Sequence, residues 1–131
     1  PYLTQERLIR HANNYGLSVT AFSPLGALSY FELDMADELE SVLTQPMVVS
    51  IAESLGKTPA QVVLRWGIQR GCSLISKSTK TERLAENLEA LNFELSEQAM
   101  SDISGLNKNR RFNDPGDFCE SAFDKFYPIY D

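Results

Sequence analysis

The chain has 131 residues, 43% of them hydrophobic and 23% charged, a balance that excludes a disordered polymer and lets a chain of this size bury roughly two-thirds of its unfolded surface. A net charge of −6 and a pI of 4.8 argue against a nucleic-acid partner, because phosphate backbones select basic faces. Cys72 and Cys119 match no metal or redox spacing and read as reduced thiols of a cytoplasmic protein; no apolar run approaches the ~20 residues of a membrane helix, and no signal or lipidation motif is present. A start at Pro1 without Met is what a fragment or trimmed product would have.

In chain order, Thr4 is expected to cap a helix beginning at Gln5-Glu6 and ending at Gly16. His11, the single histidine, falls on that helix among Arg10, Asn13 and Asn14 and reads as a surface residue. Leu17 to Phe22 is β-branched and six residues long, a strand stopped by Pro24 and Gly26. Phe22 at its end is either a core aromatic or a ring laid on a flat ligand. Residues 27–45 form a long excursion in which Leu33, Ala36, Leu39 and Leu43 have helical spacing, as a lid carrying a short helix would. Pro46 opens a helix closed by Gly56, and Thr58-Pro59 starts another, with Val62, Val63, Trp66 and Ile68 apolar, that ends before Gly71.

Cys72-Ser73-Leu74-Ile75 is a short strand that runs through a turn into a helix from Thr81 to Leu91, with Leu84, Leu88 and Leu91 on one stripe. The turn gathers Lys77, Lys80 and Arg83 beside the hydroxyls of Ser78, Thr79 and Thr81. A helix start has unpaired N–H groups and a positive dipole end, so the pattern fits either an anion site or an ordinary cap with solvated charges. Ser96 opens a further helix with Met100, Ile103 and Leu106 apolar. Residues 107–117 are polar and turn-rich, and the tail to residue 131 mixes aromatic and charged residues.

Several blocks stand in an order that resembles the C-terminal half of the aldo-keto reductases. They are Phe22-Ser23-Pro24-Leu25-Gly26, the run from Gly56-Lys57-Thr58-Pro59 to Arg65-Trp66, Lys77-Ser78, Glu82-Arg83, Glu86-Asn87 and Phe93-Glu94-Leu95-Ser96. Ser29 to Leu33 and Arg111-Phe112-Asn113-Asp114-Pro115 look most like the xylose reductase branch. The resemblance implies an α/β fold that is the C-terminal portion of a (β/α)8 TIM barrel, incomplete here because such a barrel typically needs ~250 residues. Residues 1–131 would be the C-terminal part of an NADPH-dependent oxidoreductase domain, with 27–45 as a coenzyme lid and 107–131 as a substrate loop. A half barrel would leave two raw sheet edges, so a missing N-terminal half is the partner to expect.

By the same resemblance, Phe22 stacks on the nicotinamide, and Ser23, Leu25 and Gly26 line the pyrophosphate. Glu32 lies near the adenosine ribose; Lys77, Ser78 and Arg83 hold the 2′-phosphate; Glu86 and Asn87 bind the adenine edge. Asn113 would bond a substrate hydroxyl, with Gly116 in place of an expected tryptophan, and Ser76 replaces the usual proline before Lys77. The chemistry implied is reduction of an aldehyde or aldose by NADPH, without a metal. The family's Asp, Tyr, Lys and His match no residue of this chain, so the resemblance assigns it no catalytic residue and no turnover of its own. A non-catalytic half barrel that binds nucleotide or serves as an interaction module has the same residues. Two helices joined by Gly56-Lys57-Thr58-Pro59 also fit a DNA-binding helix-turn-helix, but the second offers only Arg65 and Arg70 as cations.

Overall fold

The computed structural model describes residues 1–26, 30, 31 and 35–125. Its first helix, α1 (Glu6–Asn14), buries Ile9 and Ala12 and turns its charges outward. Thr4 does not cap it. The N-cap is Gln5, in a left-handed conformation with no side-chain bond, because Thr4 is drawn into the interior. Its N–H donates to Asn107 Oδ1 at 3.2 Å, and its carbonyl accepts from the Arg70 guanidinium. The other end closes as a Schellman motif, with Gly16 N–H bonded to the Asn13 carbonyl and Leu17 N–H to that of Ala12. Leu17 is thereby committed to the helix end, so strand β1 is Val19–Phe22 and begins two residues later than its composition predicts.

Strand β1 pairs in parallel with β2 (Cys72–Ile75) in the register Val19↔Cys72 through Phe22↔Ile75. Between them run α2 (Pro46–Leu55) and α3 (Pro59–Gln69), each with Pro in its first turn, where a missing N–H costs nothing. Helix α3 carries the capping box that Thr58 and Gln61 encode: Gln61 N–H donates to Thr58 Oγ1, and Thr58 N–H to Gln61 Oε1. Gly67 lets α3 lie close on β2, since a Cβ there would come within 2.9 Å of the Leu74 side chain.

The core sits on the helical side of the sheet. Val48 and Ala52 of α2, Val62, Val63 and Trp66 of α3, and Ala99 and Ile103 of α5 (Glu97–Ser104) form one buried cluster with Tyr2, Val42 and Leu95. Ser96 caps α5 as expected, accepting from Ala99 N–H. Trp66 ties α3 to α5 by donating its indole N–H to Ser104 Oγ at 3.0 Å. Arg70 lies over the Trp66 ring at 4.2 Å and reaches Glu6 at 2.7 Å, clamping α1 to the end of α3.

Three further expectations are corrected. The helix after the cationic turn, α4, spans Thr81–Leu88 and ends in a 3-10 turn at Glu89–Leu91; Ala90 is the residue it buries, whereas Leu84, Leu88 and Leu91 stay exposed. Among the described residues of the excursion, Leu33 lying outside them, the segment that carries Leu39 and Leu43 forms two 3-10 turns, Glu38–Glu40 and Val42–Thr44, and Val42 rather than Leu39 reaches the core. The tail contains a helix the sequence reading did not anticipate, α6 (Pro115–Phe123), whose Asp114 cap accepts from Gly116 N–H at 2.8 Å.

Among the described residues no third strand pairs with β1 or β2, and Phe22 and Ile75 at the facing strand ends are each 61% exposed. No helix among the described residues is long and apolar enough to cross a membrane. Ile103 is fully buried at the meeting of α2 and α5. Ile103→Ala is therefore expected to cost about 2–5 kcal/mol in urea unfolding, whereas Leu88→Ala, on the open face of α4, should change stability by about 0.5 kcal/mol or less.

Candidate functional site

The parallel register decides the geometry. Because Phe22 stands opposite Ile75, the two segments that follow the strands, Ser23 to Gly26 and Ser76 to Lys80, leave the sheet at the same rim. Ligands of open α/β sheets bind at this carboxyl end of the strands.

On the β1 side, Ser23 is held at φ 46°, an uncommon value for a residue with a Cβ, and Gly26 at φ 76°. Gly26 N–H closes the turn on the Ser23 carbonyl at 2.9 Å. Ser23 Oγ is 3.2 Å from the Tyr30 hydroxyl, and the Tyr30 ring stacks on Phe112 at 5.9 Å. Leu25 packs its side chain against the core and does not line the cleft. Phe22, Ser23, Gly26 and Asn113 line one cleft of about 580 Å³, whose inner wall includes Trp66 and Leu74. Four of the expected residues are thus brought together, with Phe22 and Asn113 exposed on its border.

On the β2 side, Lys77, Lys80 and Arg83 are exposed, and no ion pair among the described residues engages them. The N-cap of α4 is Lys80, which makes no side-chain cap bond. Ser78 turns inward on its own loop, accepting from Lys80 N–H at 3.1 Å. Three cations therefore surround a helix start whose N–H groups lack a side-chain cap, an arrangement suited to a phosphate group. One turn further on, Glu86 and Asn87 are half-buried and already bonded. Thr58 Oγ1 donates to Glu86 Oε1 at 2.6 Å, Gln61 Nε2 donates to the Glu86 carbonyl at 3.0 Å, and Asn87 Nδ2 donates to Ser76 Oγ at 3.4 Å. Ser76, where the resemblance leads one to expect proline, thus supplies a side-chain tie across the turn. Glu32 lies outside the described residues.

Sequence reasoning missed the supports of the site. Thr58 was legible as a helix cap, but the reach of Thr58 and Gln61 to Glu86 joins residues 28 and 25 positions apart. Arg110 was equally hidden. Its guanidinium bonds Glu40 at 2.9 Å and the Met35 carbonyl at 3.0 Å and lies over the Phe112 ring at 4.9 Å, pinning the excursion to the segment before Asn113.

A parallel βα arrangement with a cationic turn and an exposed aromatic on one rim defines the class, a βα-repeat protein whose ligand edge suits a phosphorylated, ring-bearing molecule. Comparison with known proteins narrows this. Residues 1–108 match the Aldo/keto reductase family, and the chain belongs to that family. It is 49% identical over 117 residues to the probable NAD(P)H-dependent D-xylose reductase xyl1 of Aspergillus clavatus, covering 88% of this chain and 36% of the relative. Identity to the NAD(P)H-dependent D-xylose reductase xyl1 of Aspergillus niger is 47% over 117 residues (88% and 37%), and to the probable enzyme of Emericella nidulans 46% over 120 residues (90% and 38%). The xylose reductase branch is the one it resembles. The chain spans little more than a third of the length of these relatives.

The Glu40–Arg110 pair has a pH signature. Arg110, with help from Asp37 N–H, holds the Glu40 carboxyl below its ordinary value of 4.5. A carboxyl depressed in the folded state stabilises fully above its unfolded value and loses that contribution as pH falls through the folded one. Acid unfolding curves of Glu40→Gln should accordingly lie below wild type near neutrality and converge with it once pH drops beneath the folded value, which lies below 4.5.

Proposed function

We propose that this chain is the coenzyme-binding C-terminal part of a cytoplasmic NADPH-dependent aldehyde or aldose reductase, completed as a (β/α)8 barrel by βα units supplied from elsewhere. The observation that carries the reading is the shared rim, where the Phe22↔Ile75 register brings to one edge an exposed aromatic at the end of β1 and, after β2, a cationic cluster that no ion pair among the described residues engages. The uncovered sheet edges support the barrel, since parallel strands are ordinarily buried on both faces.

Bound there, the coenzyme would supply hydride for an aldehyde carbon. This chain's own residues bind and orient. Phe22 offers a ring face to the nicotinamide; stacking needs no hydroxyl. The backbone of Ser23 to Gly26 passes along the pyrophosphate, with Gly26 permitting close approach. Lys77, Ser78 and Arg83 take the 2′-phosphate, the guanidinium in forked contact. Glu86 and Asn87 read the adenine edge, and Asn113, across the cleft, meets a hydroxyl of the carbonyl substrate. Excursion residues 27–45, Glu32 among them, cover the adenosine, and residues 107–131 wall the substrate pocket. The proton donor and its tuning groups come from outside this chain.

Loss of the guanidinium in Arg83→Ala should weaken NADPH binding about tenfold or more while leaving NADH unchanged, since a hydrogen bond to a charged group contributes about 1.5–3 kcal/mol. Coenzyme fluorescence titration checks this, and equal losses for both coenzymes would refute the phosphate assignment. The purified 131-residue chain should not oxidise NADPH in the presence of xylose or an aliphatic aldehyde. Turnover would mean that the proton donor lies within it.

A further inference from the structure

Helix α3 begins beside α4, and its capping box does more than end a helix. Thr58 Oγ1 accepts from Gln61 N–H at 3.3 Å and donates to Glu86 Oε1 at 2.6 Å, so both roles of the hydroxyl are used. Gln61, buried, turns its amide from the same box to the Glu86 carbonyl at 3.0 Å. Two donors from α3 therefore fix Glu86 at both main chain and side chain. Among the described residues no hydrogen bond reaches the other carboxylate oxygen, Oε2, and no cation pairs with the group. A carboxylate accepts hydrogen bonds and cannot donate one. Held by a hydroxyl through one oxygen, it presents the second as a fixed acceptor.

We infer that Thr58 is a positioning residue for purine recognition: through its hydroxyl it holds Glu86 so that Oε2 accepts the exocyclic amino group of adenine, selecting 6-aminopurine over 6-oxopurine dinucleotides. The inference rests on the coenzyme reading of Glu86 proposed above and goes beyond it. A 6-oxo group is itself an acceptor and would face the carboxylate oxygen with no proton between them, the mismatch that makes an unpaired polar group costly. Selectivity then depends on Glu86 being unable to swing away, and that restraint comes from α3.

Reduced NADP and its hypoxanthine analogue, titrated against the full chain, test this. Wild type should bind the adenine coenzyme about tenfold more tightly. Thr58→Asp keeps a good N-cap but cannot donate to Glu86, so it should lose the preference while far-ultraviolet circular dichroism and the NADPH-to-NADH affinity ratio stay as in wild type. Thr58→Ser, which retains the donor, should keep the preference. Undiminished preference in Thr58→Asp would overturn the positioning role and leave the coenzyme reading standing. No preference in wild type, or no binding of either dinucleotide, would overturn the assignment of Glu86 to adenine and this inference with it.

Discussion

Everything functional in this chain depends on one backbone pairing, the parallel ladder that sets Val19 against Cys72 and Phe22 against Ile75. Parallel pairing requires a crossover connection, supplied here by α2 and α3, and it brings both carboxyl ends to the same side. An antiparallel pairing of the same strands would send Phe22 and Lys77 to opposite edges, leaving an aromatic and a cationic turn with nothing in common. The two strands are only four residues each, and a two-stranded sheet is marginal by itself. What holds the register is the helical layer behind it. Gly67 admits the Leu74 side chain against α3, and Arg70, stacked on Trp66, fastens α1 through Glu6.

That helical layer also explains why the sheet is left bare. The buried cluster is built from α2, α3 and α5, with Val48, Val62 and Ile103 inaccessible to solvent. The strands contribute only Cys72 to the buried apolar set. A sheet so lightly used by its own core has its hydrophobic surface directed elsewhere. Leu8, Leu17, Phe22 and Ile75 lie open around it, in keeping with a barrel whose remaining βα units would cover them.

Local chemistry was legible wherever a residue acts on its near neighbours. Pro46, Thr58-Pro59 and Ser96 mark helix starts that appear where their cap and first-turn rules put them. Thr4 fails by the same logic, because burial against Arg70 and Asn107, residues far along the chain, outweighed a local cap. The leucine stripe of α4 fails because helical spacing says that residues share a face without saying what that face meets. In the excursion, Val42 won the core position over Leu39 through contacts that no window of the sequence contains. At the rim, the positions of Phe22 and the cationic turn followed from motif order, whereas the contacts of Thr58 with Glu86, Ser76 with Asn87 and Arg110 with Glu40 had no signature of their own.

Two glutamates are held in different ways. Glu40 is held at both oxygens: Arg110 donates to Oε1 and Oε2, and Asp37 N–H donates a second bond to Oε2, which depresses its proton affinity and makes it a fastener for the excursion. Glu86 is anchored by the Thr58 hydroxyl and by a bond from Gln61 to its carbonyl, and among the described residues nothing bonds its second oxygen and no cation pairs with it. Under the coenzyme reading proposed above, fixing Glu86 by one of the nearby cations would have spent both the charge for an anionic ligand and the acceptor for its base. Anchoring it through Thr58 leaves Lys77, Lys80 and Arg83 without an ion pair among the described residues of a chain of net charge −6, where a local concentration of positive charge is favoured when a neighbouring carboxylate is satisfied by neutral donors.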